Sequence, residues 1–404
     1  MPPSPTHLAE LRALARLASE GAEGASRVAE GVHANVWQTV TRRRAEADGR
    51  ARGLTGVVYR WVRALTRLVG WSADNMLRRA ERRADAGDER EETRRHADLV
   101  AVVNGVLGDR LAAEGSVLAT SMTLRAGASV LAGAGPWEVA VAGPRVAVFV
   151  HGLCMNELGW EAEGRAPHAE ALAALGWSVV TVRYNSGRHI SESGRDLDAA
   201  LGRLVGGWPV PVEALALVTH SMGGLVARSA AAQAAAESPW RARWTHLVCL
   251  GTPHHGSPVE RAGNWVDALL ASRRTTAPLA RLGQIRSAGV TDLRHAALLD
   301  ADWQDRDRFE RRPDDRTPVP LPEGVACYAV AATLTARRGA LAERVVGDGL
   351  VPLRSALGEH PDPARALAFD ATETLFETSH LGLLTDPEVT RALAQWLAPV
   401  PDRP

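Results

Sequence analysis

ALALVTHSMGG, residues 214–224, is the stretch of sequence that decides the fold. Its apolar first half, residues 214–218, is typical of a buried strand, and residues 225–235 continue with the apolar spacing of a helix. A serine on a tight turn between a buried strand and a helix projects its hydroxyl out of the backbone, and small residues beside it prevent a steric collision. The stretch therefore predicts Ser221 as a nucleophile, with Gly223 as its small neighbour.

The sequence before the serine departs from the G-x-S-x-G pattern at one position. Thr219 stands in place of the first glycine, so the space behind the turn must be slightly larger than usual. A coincidental S-x-G-G helix start is the alternative, and the strand pattern in front of it argues against that explanation. His220, which separates Thr219 from Ser221, is predicted to belong to the loop that lines the site.

From residue 136 onwards, short apolar runs alternate with helical patterns, which indicates a mostly parallel sheet covered by helices. The predicted strands cover residues 146–150, 177–184, 214–218, 245–250, 325–334 and 371–376. The predicted helices cover residues 167–175, 196–204, 225–235 and 387–397. The sequence thus predicts an α/β domain over residues 136–404.

Residues 1–135 have apolar residues three or four positions apart and are predicted to form a helical accessory region. Residues 58–69 give the clearest amphipathic stripe, and residues 99–111 give another. One hypothesis is a bundle that packs on the catalytic domain. The other is a lipid-docking face, because Trp61 and Trp71 beside arginines suit a helix at a membrane surface.

The composition excludes several classes of protein. The 404 residues are 46% apolar, and Lys+Arg and Asp+Glu both count 47, so no basic field attracts nucleic acid. The three cysteines, Cys154, Cys249 and Cys327, have no metal-ligand spacing, and an odd number favours a reducing compartment. Neither a secretory signal nor a spanning apolar segment is found in the sequence. We expect a cytoplasmic protein that needs no metal and no cofactor.

Five stretches occur in an order that points to one family: VFVHGL (148–153), THSMGGLVAR (219–228), GTPHHGSP (251–258), GDGLVP (347–352) and SHLGLL (379–384). Through them, residues 144–398 resemble the lipase-like α/β hydrolases, which include the GPI inositol-deacylase type and bacterial triacylglycerol lipases. The resemblance implies the α/β-hydrolase fold. Residues 1–135 lie outside it.

The resemblance also implies the partners of the nucleophile. It makes Asp348 the acid and His380 the base, in the chain order Ser, Asp, His. The glycines on both sides of Asp348 would also suit an ordinary turn aspartate. Asp370 and Asp315 are the alternative acids, and His254, His255 and His360 are the alternative bases.

Backbone N–H groups are expected to stabilise the oxyanion that forms during acyl transfer. The candidate donors are Met222, at the start of the helix after the serine, and Leu153, in the loop after the first central strand. Gly152 is predicted to give this loop its backbone clearance. His151 is predicted to hydrogen-bond within the loop.

The segment GTPHHGSP follows the strand after the serine, and the resemblance implies that it lines the site. His254 and His255 are therefore predicted to be pocket wall or hydrogen-bonding residues. Metal binding is not predicted, because no carboxylate or third histidine stands at ligand spacing. An insertion over residues 257–322, with scattered apolar residues, is predicted to be a lid, or else an insertion without a function.

These features predict a serine hydrolase that cleaves carboxylic esters, of the lipase or esterase type, through an acyl-enzyme. Its partner would be a small-molecule or lipid ester, with peripheral membrane contact under the lipid-docking hypothesis for the N-terminal helices. An acyltransferase or a thioesterase would use the same three residues. A scaffold without activity that binds a membrane or a protein partner is the remaining alternative.

Overall fold

The computed structural model describes residues 94–133, 135–162, 164–257, 286–308, 310, 313–336 and 347–398. The amphipathic stripe predicted around Trp61 and most of the predicted lid, residues 258–285, lie outside the described residues. The sheet belongs to a compact unit that comprises Thr93–Gly115 and Ala119–Pro404.

The described residues form one sheet of eight strands, in the order β2-β1-β4-β3-β5-β6-β7-β8. Strands β3 to β8 are parallel to one another, and β1 pairs antiparallel with both β2 and β4. The strands are β1 (Thr123–Ala126), β2 (Ser129–Val130), β3 (Arg145–Val150), β4 (Ser178–Arg183), β5 (Ala214–His220), β6 (Trp244–Leu250), β7 (Ala326–Ala332) and β8 (Ala371–Leu375). The parallel part of this sheet, in the order β4-β3-β5-β6-β7-β8, has the strand order of the α/β hydrolases, so the predicted fold is confirmed.

Seven helices are found among the described residues. They are α1 (Arg94–Ala113), α2 (Pro167–Ala174), α3 (Ile190–Gly207), α4 (Met222–Gln233), α5 (Ala288–Asp292), α6 (Leu353–Ala356) and α7 (Pro387–Trp396). The helix α7 begins as its sequence suggests, because Asp386 accepts a hydrogen bond from the backbone N–H of Glu388 at 2.8 Å and Pro387 occupies the first helical position. None of the described helices is long and apolar enough to cross a membrane.

The centre of the sheet is buried on both faces. Every residue of β3 from Val146 to Val150 is fully buried, and β5 is buried from Leu215 onwards. Continuous apolar strands of this kind are typical of parallel sheets that carry helices on both sides. This arrangement fixes the carboxyl ends of β3, β5 and β6 side by side at one edge of the sheet.

Helix α3 begins six residues before the predicted start at residue 196. Its first two turns carry small polar residues where apolar ones would be expected, because Gly194 packs directly on α4. A Cβ atom at position 194 would lie 2.4 Å from Ser229 Oγ. The apolar periodicity therefore appears only after the tight contact between the two helices.

The sheet includes residues that the sequence analysis places in the accessory region. Strand β1 pairs with β4, with Leu124 opposite Val182, and the unit that contains the sheet also contains α1. Strand β1 has only four residues and lies between polar segments, so its sequence is too short to give a strand pattern. The predicted boundary at residue 135 therefore rests on helical periodicity alone. In the structure, residues 123–130 are part of the hydrolase sheet.

Candidate active site

Ser221 lies on the turn between β5 and α4 and has a strained backbone. Its φ is 54° and its ψ is −124°, a conformation that non-glycine residues rarely adopt. The Ser221 N–H donates to Leu250 O on β6 at 2.8 Å, which fixes the turn to the neighbouring strand. Only 1% of the residue is exposed, and Ser221 Oγ makes no hydrogen bond to any residue that the structure describes. The turn is thus a strained elbow between a strand and a helix.

Thr219 fits behind the elbow without a void. The residue is fully buried, and its hydroxyl donates to Val248 O on β6 at 2.9 Å. Burial of a hydroxyl costs little free energy when the hydroxyl has a hydrogen-bond partner and much more when it has none. The departure from the glycine of the G-x-S-x-G pattern is therefore accommodated by one side-chain hydrogen bond to the adjacent strand.

We expect Gly223→Ala to destabilise the elbow. A Cβ atom there would lie 2.4 Å from Val150 O and 2.7 Å from His151 O, and these backbone atoms cannot move independently of β3. Overpacking of this kind costs about 1–3 kcal/mol. Thermal unfolding with circular dichroism should therefore show a lower Tm than that of Gly202→Ala, because position 202 has no atom within 4 Å of a Cβ. Equal melting temperatures would contradict the prediction.

Asp348 and His380 form a buried pair. His380 Nδ1 lies 2.7 Å from Asp348 Oδ2, and the side chains of His380 and Asp348 are 3% and 0% exposed. The other carboxylate oxygen, Asp348 Oδ1, accepts from the backbone N–H groups of Leu350 at 3.0 Å and Val351 at 2.8 Å. The backbone N–H of His380 also donates to the backbone oxygen of Asp348 at 3.1 Å. The carboxylate is thus fixed by the loop and oriented toward the imidazole.

The same pair lies beside the elbow. Gly251 follows β6 with a φ of +58°, and a Cβ atom there would lie 3.2 Å from both Nδ1 and Cε1 of His380. Leu250, the preceding residue, accepts the hydrogen bond from Ser221 N–H. His220 completes the connection, because its Nε2–H donates to His380 O at 3.0 Å. The structure therefore brings Ser221, His380 and Asp348 to one place.

The alternative acids and bases lie elsewhere. Asp370 accepts from Cys327 N–H at 2.7 Å at the start of β7, which is the opposite edge of the sheet from Ser221. Asp315 is half exposed and pairs with Arg306 at 2.8 Å. The His360 ring lies 4.9 Å from the ring of His255. None of these residues replaces Asp348 as the hydrogen-bond partner of His380.

His151 belongs to the framework of the loop that follows β3. Its Nδ1–H donates to Gly152 O at 2.9 Å, and its Nε2 accepts from Tyr184 N–H at 3.3 Å. Tyr184 also stacks on the ring at 4.4 Å and donates its hydroxyl to His151 O at 3.0 Å. Burial lowers the pKa of His151 from 6.5 to about 4, so the ring is neutral at pH 7. Both of its nitrogens are engaged in holding the loop.

The two candidate oxyanion donors lie on either side of Ser221. A Cβ atom on Gly152 would lie 2.9 Å from Ser221 Cβ, so the loop that continues into Leu153 passes directly against the serine. Met222 is the first residue of α4, and its N–H therefore has no partner within the helix. Leu153 and Met222 are each 1% exposed. Both backbone amides lie next to Ser221 in a site shielded from water.

His254 and His255 follow β6, but each is bound to a buried arginine that sequence analysis did not single out. Arg228 Nη1 lies 3.2 Å from His254 Nδ1, and Arg316 Nη2 lies 2.8 Å from His255 Nδ1. Burial is the main cause that lowers the pKa of both imidazoles, to about 4 for His255 and well below its usual value for His254. These histidines are neutral hydrogen-bond acceptors. No group of metal ligands was found in the described part of the chain.

Arg228 is the site-adjacent residue that the sequence could have revealed. It ends the stretch THSMGGLVAR and faces inward, with 4% of the residue exposed. A charged side chain on a helix normally lies on the surface instead. Burial lowers the pKa of Arg228 to about 10. Its position seven residues after Ser221 places it two turns along α4, on the same face as the turn.

The neutral histidines predict that the protein loses stability in acid. His151 has a lowered folded-state pKa, so the unfolded chain binds more protons between pH 6.5 and about 4. The contribution of His151 to the free energy of unfolding is complete above pH 6.5. It falls as the pH decreases toward 4, by about 2 kcal/mol at about pH 5. Urea denaturation at a series of pH values measures this loss. His255→Gln, which keeps an acceptor for Arg316, should show a smaller loss, and a flat profile for the native protein would contradict the prediction.

Comparison with known proteins supports the resemblance seen in the sequence. Residues 207–317 match the family model described as PGAP1-like alpha/beta domain, a segment that includes β5, the elbow, α4 and β6. No curated protein sequence matches the chain. Together with the strand order, the match confirms similarity to the lipase-like α/β hydrolases.

Several solved structures with a similar fold come from bacteria. The mature lipase BlEst2 of Bacillus licheniformis is 19% identical with a TM-score of 0.41, over 66% of this chain and 100% of the lipase. EstA of Clostridium botulinum is 13% identical with a TM-score of 0.37, over 65% of this chain and 89% of EstA. Phospholipase PlaB of Legionella pneumophila is 16% identical with a TM-score of 0.43, over 63% of this chain and 59% of PlaB.

Proposed function

We propose that the protein is a carboxylic-ester hydrolase that works through an acyl-enzyme on Ser221. The observation that carries this proposal is the buried Asp348–His380 pair beside a serine on a strained elbow. A serine hydroxyl is a weak nucleophile at neutral pH and needs a base, an orienting acid and donors for the oxyanion. The candidate site contains residues suited to each of these tasks.

In the proposed mechanism, His380 Nε2 accepts the proton of Ser221 Oγ as the oxygen attacks the ester carbonyl. The carboxylate of Asp348 holds the imidazole through Nδ1 and stabilises its charged form. The N–H groups of Leu153 and Met222 stabilise the tetrahedral oxyanion. His380 then gives the proton to the leaving alcohol. Water, deprotonated by His380, releases the acid from the acyl-enzyme in a second cycle.

The substrate must reach a nucleophile that is almost fully buried. The described part of the predicted lid supports a covering role, because a Cβ atom on Gly289 of α5 would lie 3.0 Å from Met222 Cε. We propose that this segment forms a fixed wall over the site. An apolar underside of the lid would favour an acyl chain over a short polar acid, and we propose a lipid or long-chain ester as the substrate.

A series of nitrophenyl esters from acetate to palmitate, with and without phosphatidylcholine vesicles, tests the proposal. We expect turnover that rises with chain length and increases on vesicles if the substrate is a lipid ester. Turnover of the acetate alone would indicate an esterase for small molecules. No turnover of any ester by pure protein would contradict the hydrolase and favour the scaffold without activity.

An acyl-enzyme can also be captured by an alcohol or can form from a thioester. Adding an acceptor alcohol to the same assay and measuring the transferred ester separates an acyltransferase from a hydrolase. A nitrophenyl thioester of the same chain length separates a thioesterase. We expect free acid as the main product and the oxygen ester as the better substrate.

A further inference from the structure

Helix α1 is bound along its first half to the loop that follows β3. Arg94 Nη2 donates to Leu158 O at 2.6 Å and to Glu161 O at 2.8 Å. One turn further along, Asp98 Oδ1 accepts from Asn156 Nδ2 at 3.1 Å. The loop that carries Leu153 is therefore fixed to a helix that precedes the central sheet in the chain and lies outside the segment matched by the family model.

The tightest contact between α1 and this loop lies at Gly105, in the middle of the helix. A Cβ atom there would lie 2.3 Å from Cys154 Sγ and 2.8 Å from both Cys154 Cα and Cys154 N. Cys154 has a φ of 57°, and its N–H donates to Ser186 Oγ at 3.0 Å. Because Cys154 N belongs to the peptide bond that follows Leu153, the distance between the helix and this peptide determines where the Leu153 residue lies.

A second close contact lies one turn later. A Cβ atom on Gly108 would lie 1.8 Å from Asn185 Oδ1, and Gly108 O accepts from Asn185 Nδ2 at 2.9 Å. A Cβ atom on Gly187 would lie 2.0 Å from Asn104 O. Glycines thus let the backbones of α1 and of the loop after β4 lie close together, and no space remains for either backbone to shift.

The last part of α1 holds the segment that reaches Met222. Ser287 Oγ donates to Gly105 O at 2.6 Å, and Ala288 N–H donates to Asp109 Oδ2 at 3.0 Å. These bonds fix the start of α5, whose Gly289 packs on the Met222 side chain. One helix therefore contacts the neighbours of both candidate oxyanion donors.

We infer that α1 is a positioning element of the oxyanion site and that Gly105 sets the position of the Leu153 amide. The inference rests on the proposed function, in which Leu153 donates to the oxyanion. Donors that stabilise an oxyanion act only when they lie at hydrogen-bond distance from the position that this oxygen takes in the transition state. A displacement of a few tenths of an ångström at Cys154 therefore lowers kcat and leaves the binding of substrate unchanged.

Gly105→Ala tests the inference. Alanine favours a helix more than glycine does, so the substitution does not weaken α1 itself. We expect kcat for a nitrophenyl ester to fall between about tenfold and a hundredfold with little change in KM. The matched control is Gly202→Ala in α3, where a Cβ atom meets no atom within 4 Å. The control should keep the native kcat and KM.

A second variant and a second measurement separate this inference from the proposed function. Adding Cys154→Gly to Gly105→Ala removes the Sγ atom and leaves residue 154 without a Cβ atom, so that it tolerates its positive φ. We expect this double variant to recover part of kcat. Crystal structures of Gly105→Ala and Gly202→Ala should show the peptide after Leu153 displaced only in the first.

The outcomes are distinct. An unmoved peptide together with unchanged kcat in Gly105→Ala would overturn the positioning role. Displacement of Leu153 N together with this peptide, with unchanged kcat, would show that Leu153 is not a donor and would also overturn the inference. Native protein without ester turnover would contradict the proposed function, and the displacement measured in the crystal would still decide whether Gly105 sets the position of the loop.

Discussion

Ser221→Ala is expected to lower ester turnover by about six orders of magnitude, because triad members act as a unit and loss of the nucleophile removes the covalent route. Labelling by a fluorophosphonate should disappear in the same variant. The fold should persist, since the Ser221 hydroxyl makes no hydrogen bond to a described residue that its loss would break. Activity assays and gel fluorescence of labelled protein measure the two effects.

Ser229→Ala is the matched control for this prediction. Ser229 lies two turns further along α4, is also fully buried, and donates its hydroxyl to Leu298 O at 2.6 Å. This variant should keep the fluorophosphonate label, although it loses a buried hydrogen bond. Undiminished labelling of Ser221→Ala would show that the reactive serine lies elsewhere and would overturn the site as proposed.

Asp348→Asn is expected to keep the fold and to lose about two to four orders of magnitude in kcat. The amide oxygen that the substitution introduces would still accept from Leu350 and Val351, so the loop keeps its hydrogen bonds. The amide NH₂ group would face His380 Nδ1, which must then accept a hydrogen bond. The proton moves to Nε2, and the imidazole no longer accepts the proton of Ser221.

Asp370→Asn provides the comparison for that experiment. Asp370 lies at the start of β7, where the amide oxygen of asparagine would still accept from Cys327 N–H, so this variant should keep its turnover and most of its stability. Steady-state kinetics and thermal unfolding of both variants measure the two properties. A mild effect on kcat at Asp348 with a severe one at Asp370 would transfer the role of the acid.

The core of the fold is predictable from the sequence because its signals are local. The apolar runs of β3 and β5 are long and uninterrupted, and the serine turn stands between a strand and a helix. The order of the motifs also points to Asp348 and His380, which are distant in the chain, and the structure brings their side chains within 2.7 Å.

Other parts depend on contacts between segments and leave little trace in the sequence. The contact of Gly105 with Cys154 joins residues 49 positions apart, and a glycine inside a helical pattern normally indicates only a weaker helix. The tautomer of His151 depends on Tyr184, and the neutral state of His255 depends on burial with Arg316. None of these partners can be identified from periodicity.

Strand β1 protects the molecule from association with its own copies. Without β1, the strand β4 would be the end of the sheet, with a row of N–H and C=O groups open to another chain. The hairpin covers that row and itself ends in β2, which is only two residues long and exposed. A protein shortened to begin at residue 136 would present β4 as an aggregation-prone edge, so residues 123–130 serve solubility as much as fold.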